Sequence, residues 1–169
     1  MTVLGIDPGL ASTGYGVVSC KGSRMVALAG GVIATAPHTP AERRLVDVAA
    51  AVRELIANHH PDSVAFEDLY FGRNAVSAFA VGQARGVAMM VAGEAGLPCF
   101  SYTPQQVKGA VCGSGSASKD QVARMVARLL GLAEPPTPDH AADALAVAIC
   151  HANSSPISQL LAGASGGRR

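Results

Sequence analysis

The chain reads as an α/β protein built on a five-stranded mixed sheet flanked by helices. Three observations predict this. The first third consists of β-branched and small residues in runs separated by Gly- and Pro-bearing turns, which is strand patterning. The remainder alternates helical periodicity with two further short apolar runs. At 169 residues, 49% apolar and 15% charged, the chain is long and apolar enough to bury one real core. That core must be fine-grained, because there is no Trp, only four Phe and three Tyr, and 19 Gly. Close backbone packing has to replace large side chains.

Residues 2–7, 13–20 and 25–34 form the first three strands. Pro40 then introduces a helix over 41–58, where Leu45, Val48, Ala49, Val52, Leu55 and Ile56 recur at three- and four-residue spacing. The sequence His59-His60-Pro61 stops it. SVAFE, residues 63–67, is a fourth strand. The loop DLYFGRN leads into a long helix over 74–95, and residues 98–102 make the fifth strand. Two helices follow, 104–111 and 118–130, split by the loop CGSGSAS. AEPPTP cannot continue a helix and delivers the chain into a last, Ala-rich one over 139–152. Beyond it the composition turns to Ser, Gly and Arg. We therefore expect one domain over 1–153 and a flexible C-terminal tail over 154–169.

A formal net charge of +1 neither supports nor excludes a nucleic-acid partner. Cys20, Cys99, Cys112 and Cys150 are scattered, with no CxxC or Cys/His cluster, which argues against zinc. MTVLGID runs straight into a strand without a basic region followed by an apolar one. The expectation is a cytoplasmic protein with reduced, mostly buried thiols. The longest apolar stretch, VAMMVAG, is too short to span a bilayer, so no membrane association is expected.

Four side chains stand at element ends from distant parts of the chain: Asp7, Glu67, His140 and Asp143. Asp7 closes the apolar strand VLGID, where an isolated buried carboxylate would cost on the order of several kcal/mol. Its partner is either a backbone amide of the turn after it or a cation. Glu67 ends SVAFE. A helical crossover can lay that strand parallel to the first, bringing two carboxylates to one sheet edge; the alternative is a solvated strand end. His140 and Asp143 lie at i and i+3 on one helical face. Asp139 fits an N-cap, whereas Asp143 sits among Ala141, Ala142, Ala144 and Leu145 and points to close packing. Ligands gathered in this way suit a divalent metal and hydrolysis of phosphate esters.

GIDPGLASTGYGVV, GQARGVA, GSGSASKDQV and HAADALAVAI occur in this order and at these separations. Together they resemble the RuvC family of Holliday junction resolvases over residues 3 to 152. The resemblance implies an RNase H-like fold and a homodimer. It also implies metal-dependent hydrolysis of DNA phosphodiesters at four-way junctions by paired symmetric nicks, in recombination and repair. The family's four acidic positions map to Asp7, Glu67, His140 and Asp143. Many relatives carry Asp at the third, and Asp139 beside His140 is the alternative ligand. The implied cofactor is Mg²⁺, two per site, with Mn²⁺ substituting; an imidazole ligand is softer than a carboxylate and favours Mn²⁺.

Junction recognition must rest on shape. The loop after Glu67 holds Tyr70, Phe71 and Arg73, and in the family an aromatic at the place of Tyr70 wedges into an opened base step; packing under the loop is the alternative. Arg73, Arg85, Lys108, Lys119 and Arg124 are candidate phosphate contacts. The resemblance favours Lys108 and Lys119, which flank the GSGS loop. The long helix is apolar on every side, and Phe79, Gly82, Gly86 and Met90 fit either core packing or a two-fold dimer interface. RuvA and RuvB, the branch-migration proteins, are partners implied by the family alone.

Three rival readings remain. Another RNase H-like nuclease would act on RNA or non-junction DNA. An actin-like ATPase or sugar kinase would explain DPGLASTG, although this chain is long enough for only one of the two lobes those enzymes close around ATP. A non-catalytic junction binder would keep a vestigial site.

Overall fold

A computed structural model describes residues 1–68 and 75–154; of residues 75–77 only the backbone is described. The elements are β1 (Thr2–Asp7), β2 (Ser12–Lys21), β3 (Arg24–Ala34), α1 (Ala41–His59), β4 (Ser63–Glu67), α2 (Ala75–Glu94), β5 (Cys99–Tyr102), α3 (Pro104–Cys112), α4 (Lys119–Leu130) and α5 (Asp139–Ser154). The five strands form one sheet in the order β3-β2-β1-β4-β5. The β1–β2 and β2–β3 pairs are antiparallel, while β1–β4 and β4–β5 are parallel. The sheet is therefore mixed, as the patterning predicts. The crossover through α1 sets β4 directly beside β1.

Strand alternation sorts the core into two layers. Leu4, Ile6, Val64 and Phe66 pack with Val48, Val52, Ala88 and Val91 on the α1 and α2 side. Val3, Ala65 and Val18 pack with α3, α4 and α5 on the other. Asp7 continues the register of Val3 and Gly5, and Glu67 that of Ser63 and Ala65. Both carboxylates therefore leave the sheet on the α5 side.

α5 lies on the sheet at a distance only small residues permit. A β-carbon on Gly5 would stand 2.1 Å from the Ala144 carbonyl oxygen, and one on Gly14 would stand 2.1 Å from the His140 carbonyl oxygen. The facing helix answers with buried Ala141, Ala144 and Ala148. Farther along α5, the buried His151 joins two strands: its Nε2 lies 3.0 Å from Ser63 Oγ and its Nδ1 2.7 Å from the Tyr102 hydroxyl. Phe100 covers the ring at 4.4 Å between centroids.

The other two helices on this face are set by their caps. Thr103 and Ser118 each form a capping box, with Gln106 and Gln121 respectively. Lys119 is consequently the first residue of α4.

Many element ends shift by a residue from expectation, and some details matter more. β2 runs one residue further at each end than its patterning marks. α5 continues to Ser154, so a boundary at 153/154 falls in its last turn, and residues 155–169 lie outside the described residues. Asp139 is the first residue of α5 rather than its cap; the amide of Ala141 bonds to the Pro138 carbonyl. All four cysteines are free, but only Cys150 is fully buried. Among the described residues no helix is long and apolar enough to cross a membrane.

Candidate active site

The site forms where the carboxyl ends of β1 and β4 meet the first turn of α5. Asp7 pairs across the sheet with Gly14, and Gly14 is where the His140 backbone comes down. That bare position lets the imidazole reach the carboxylate: His140 Nδ1 lies 2.7 Å from Asp7 Oδ2. Asp143, one turn on, faces the same point. One ligand atom each from Asp7, His140 and Asp143 falls within 4.8 Å of the others. Asp139 does not belong to this group. Glu67 stands beside the trio rather than in it, with its carboxyl against that of Asp7.

The electrostatics are those of crowded carboxylates. Burial raises the Glu67 carboxyl to about 7, and the charges of Asp7 and Asp143 push the same way. Asp7 is also raised, by burial and by Asp143, against the opposing hydrogen bond from His140. One ammonium answers them: Lys119 Nζ lies 3.3 Å from Asp143 Oδ2, and that carboxylate raises the Lys119 pKa. Three carboxylates thus share one lysine and one exposed imidazole. The excess of anionic oxygen, with a nitrogen donor among it, fits a hard or borderline divalent cation.

A cleft of about 190 Å³ opens beside the trio, lined by Glu67, Asp143, Lys108 and Lys119 among others. Both lysines expected at the loop between α3 and α4 therefore border the acidic cluster. Arg124 does not; it faces a separate surface groove of about 490 Å³ with Gln121 and Arg128. Arg85 is already paired. It is tied to Asp68 and Ser101 beneath the end of β4. Tyr70, Phe71 and Arg73 lie outside the described residues.

On α2, Phe79 and Met90 are 70% and 50% exposed, and a β-carbon on Gly86 would meet nothing within 4 Å. With Gly82 they follow one stripe at three- and four-residue steps on the side away from buried Ala84, Ala88 and Ala92. Phe79, Gly86 and Met90 are thus surface rather than core, and Gly82 is half-buried. Sequence reasoning missed the role of Gly14 and the ties of Arg85 and His151. For Gly14 a signal existed in the glycine-rich strands facing an Ala-rich helix; for the other two none did.

Comparison with known proteins gives this geometry its context. The model of the family "Crossover junction endodeoxyribonuclease RuvC" matches residues 3–151. The RuvC of Moorella thermoacetica is 50% identical over 156 residues, covering 92% of this chain and 93% of that protein. That of Desulfitobacterium hafniense is 47% identical over 164 residues, covering 97% and 99%. The structure of T. thermophilus RuvC in complex with a Holliday junction substrate superposes with a TM-score of 0.89 at 44% identity, covering 93% of this chain and 96% of that one. A yeast mitochondrial Holliday junction resolvase shares the fold at 16% identity, with a TM-score of 0.63.

The sheet order and the acidic strand ends place the molecule among the RNase H-like nucleases. Within that class, the chain belongs to the RuvC family of crossover junction endodeoxyribonucleases.

Proposed function

We propose that this chain is the structure-specific endonuclease that its family relationship indicates, resolving four-way DNA junctions in recombination and repair by paired symmetric nicks. The observation that carries this reading onto the chain's own residues is the convergence of Asp7, His140 and Asp143 within 4.8 Å, with Glu67 alongside. Asp7, Glu67, His140 and Asp143 would hold the divalent cofactor, proposed to be Mg²⁺, two per site, with Mn²⁺ able to replace it. A divalent ion bound there would supply charge neutralisation of the phosphodiester and Lewis-acid activation of water.

The protein's own groups do the rest. With Asp7 ionised, its carboxylate accepts from the Nδ1–H tautomer of His140. That bond orients the ring and leaves Nε2 as a lone-pair donor, suited to ligation or to taking a proton from the attacking water. Lys119 neutralises Asp143 in the free protein and, with Lys108, meets the phosphates flanking the scissile bond. Tyr70 is the proposed wedge that reads an opened junction, with Phe71 in the same loop and Arg73 as a candidate phosphate contact.

The stripe Phe79, Gly82, Gly86 and Met90, with Phe79 and Met90 exposed, supports a two-fold dimer, whose two sites would cut strands of like polarity. RuvA and RuvB are the proposed partners at the junction, in the cytoplasm.

The test is cleavage of an immobile junction in Mg²⁺, compared with linear duplex and RNA–DNA hybrid. Nicking confined to the junction and abolished in Asp7→Asn is expected. Equal cleavage of linear duplex or hybrid would select the rival reading of a general RNase H-like nuclease. Junction binding by the wild type without nicking would select a non-catalytic binder.

A further inference from the structure

Phe66 and Asp68 flank Glu67, and one guanidinium holds both. Arg85, on α2, places its Cζ 5.7 Å from the centroid of the Phe66 ring. Its Nη2 donates to Asp68 Oδ1 at 3.3 Å and to Ser101 Oγ, on β5, at 2.6 Å. The Asp68 amide donates in turn to the Tyr102 carbonyl at 2.8 Å. The chain therefore stays pinned to β5 for one residue past the end of β4.

Phe66 lies on the α2 side of the sheet, so the pleat turns Glu67 to the α5 side. Holding the residue before and the residue after Glu67 sets the direction of its side chain without touching it. Arg85 is largely shielded, with 20% of its side chain exposed, while its partner Asp68 is 44% exposed. Its Nε is buried and has no partner among the described residues.

We propose that Arg85 is a positioning residue for junction cleavage, acting through Asp68 and Phe66 to aim the Glu67 carboxyl at the Asp7–Asp143 cluster. This rests on the assignment of Glu67 to the site. It differs from a phosphate contact in what it predicts: the chemical step suffers, and junction affinity does not.

The experiment uses the full chain and an immobile junction, with single-turnover cleavage in saturating Mg²⁺ and junction Kd in EDTA. Arg85→Gln is expected to slow cleavage by about tenfold to a hundredfold, the scale of a displaced reacting group, with Kd within about twofold of wild type. Asp68→Asn should slow it comparably, and the double variant should be no slower than the worse single one, since both break one contact. Arg85→Lys keeps the charge but loses the planar fork and should fall between wild type and Arg85→Gln. If Arg85→Gln does not fold, Ser101→Ala and Arg85→Lys carry the same comparison.

Glu67→Gln is the control for the underlying assignment. Cleavage at the wild-type rate in Glu67→Gln would sink that assignment itself. Inactive Glu67→Gln beside fully active Arg85→Gln would overturn only the role given to Arg85. A loss of Kd equal to the loss of rate would also overturn it, in favour of a phosphate contact, as would additive effects in the double variant.

Discussion

At Glu67 the fold holds a carboxyl against two others, and pH-dependent stability follows. Its folded pKa, about 7, lies above the ordinary 4.5. The metal-free protein therefore has this part of its stability in full below pH 4.5 and loses it as pH rises through 7, where the folded carboxyl must ionise beside Asp7 and Asp143. Asp7, also raised, acts in the same direction. Thermal unfolding in EDTA should thus show wild type losing Tm between pH 5 and pH 8 relative to Glu67→Gln, which has no proton to lose there. Parallel curves would contradict the electrostatic account. Adding Mg²⁺ or Mn²⁺ at pH 8 should restore Tm in wild type and less in Glu67→Gln. His140 makes a separate prediction. An imidazole favours Mn²⁺ more than a carboxylate does, so His140→Asp should lower the ratio of Mn²⁺- to Mg²⁺-supported cleavage. His140→Ala, if folded and undiminished in cleavage, would remove His140 from the site.

At the scale of the element, α5 is the part on which the site depends. Its first two turns supply two of the four proposed ligands, and their position follows from how closely the helix approaches β1 and β2. A methyl group on Gly14 meets the His140 carbonyl at 2.1 Å, and both partners are backbone, so the helix must move. Gly14→Ala should cost about 1–3 kcal/mol by overpacking, read as a lower midpoint in urea unfolding. It should also slow cleavage more than that loss explains, because His140 leaves Asp7. The other end of α5 carries the opposite pH signature to Glu67. Burial lowers the His151 pKa, so this group's stability is full above the unfolded value near 6.5 and is lost as pH falls below it. Much of this architecture was legible. All five strands, the five helices and the parallel neighbourhood of β1 and β4 follow from periodicity and the crossover rule. The contacts of Arg85 and His151 were not, because their partners lie 16, 17, 49 and 88 residues away. No local pattern encodes a hydrogen bond across such separations.

For the whole molecule the question is how two cuts are paired. The apolar stripe on α2 faces away from its own core, and a second copy is the proposed occupant. Replacing Phe79, the most exposed large apolar side chain described, by Glu should shift the protein from dimer to monomer in analytical ultracentrifugation. Its metal-site residues stay untouched. Cleavage of a supercoiled plasmid carrying a cruciform should then change from coupled linearisation to unilateral nicking. A dimer that persists in Phe79→Glu would place the interface elsewhere.

Local patterning was enough for the element types, the mixed sheet, the acidic strand ends and the pair His140 and Asp143 on one helical face, since each follows from periodicity over a few residues. Four motifs in register were enough for the family. Folding in three dimensions decided the rest: that His140 rather than Asp139 meets Asp7, that Glu67 stands beside the trio, and that Arg85 is bonded to Asp68 and Ser101. Those outcomes turn on distances of a few ångströms between residues far apart in the chain. Such distances depend on how closely two backbones can pack, which emerges only when glycines on the strands and alanines on the helix face one another.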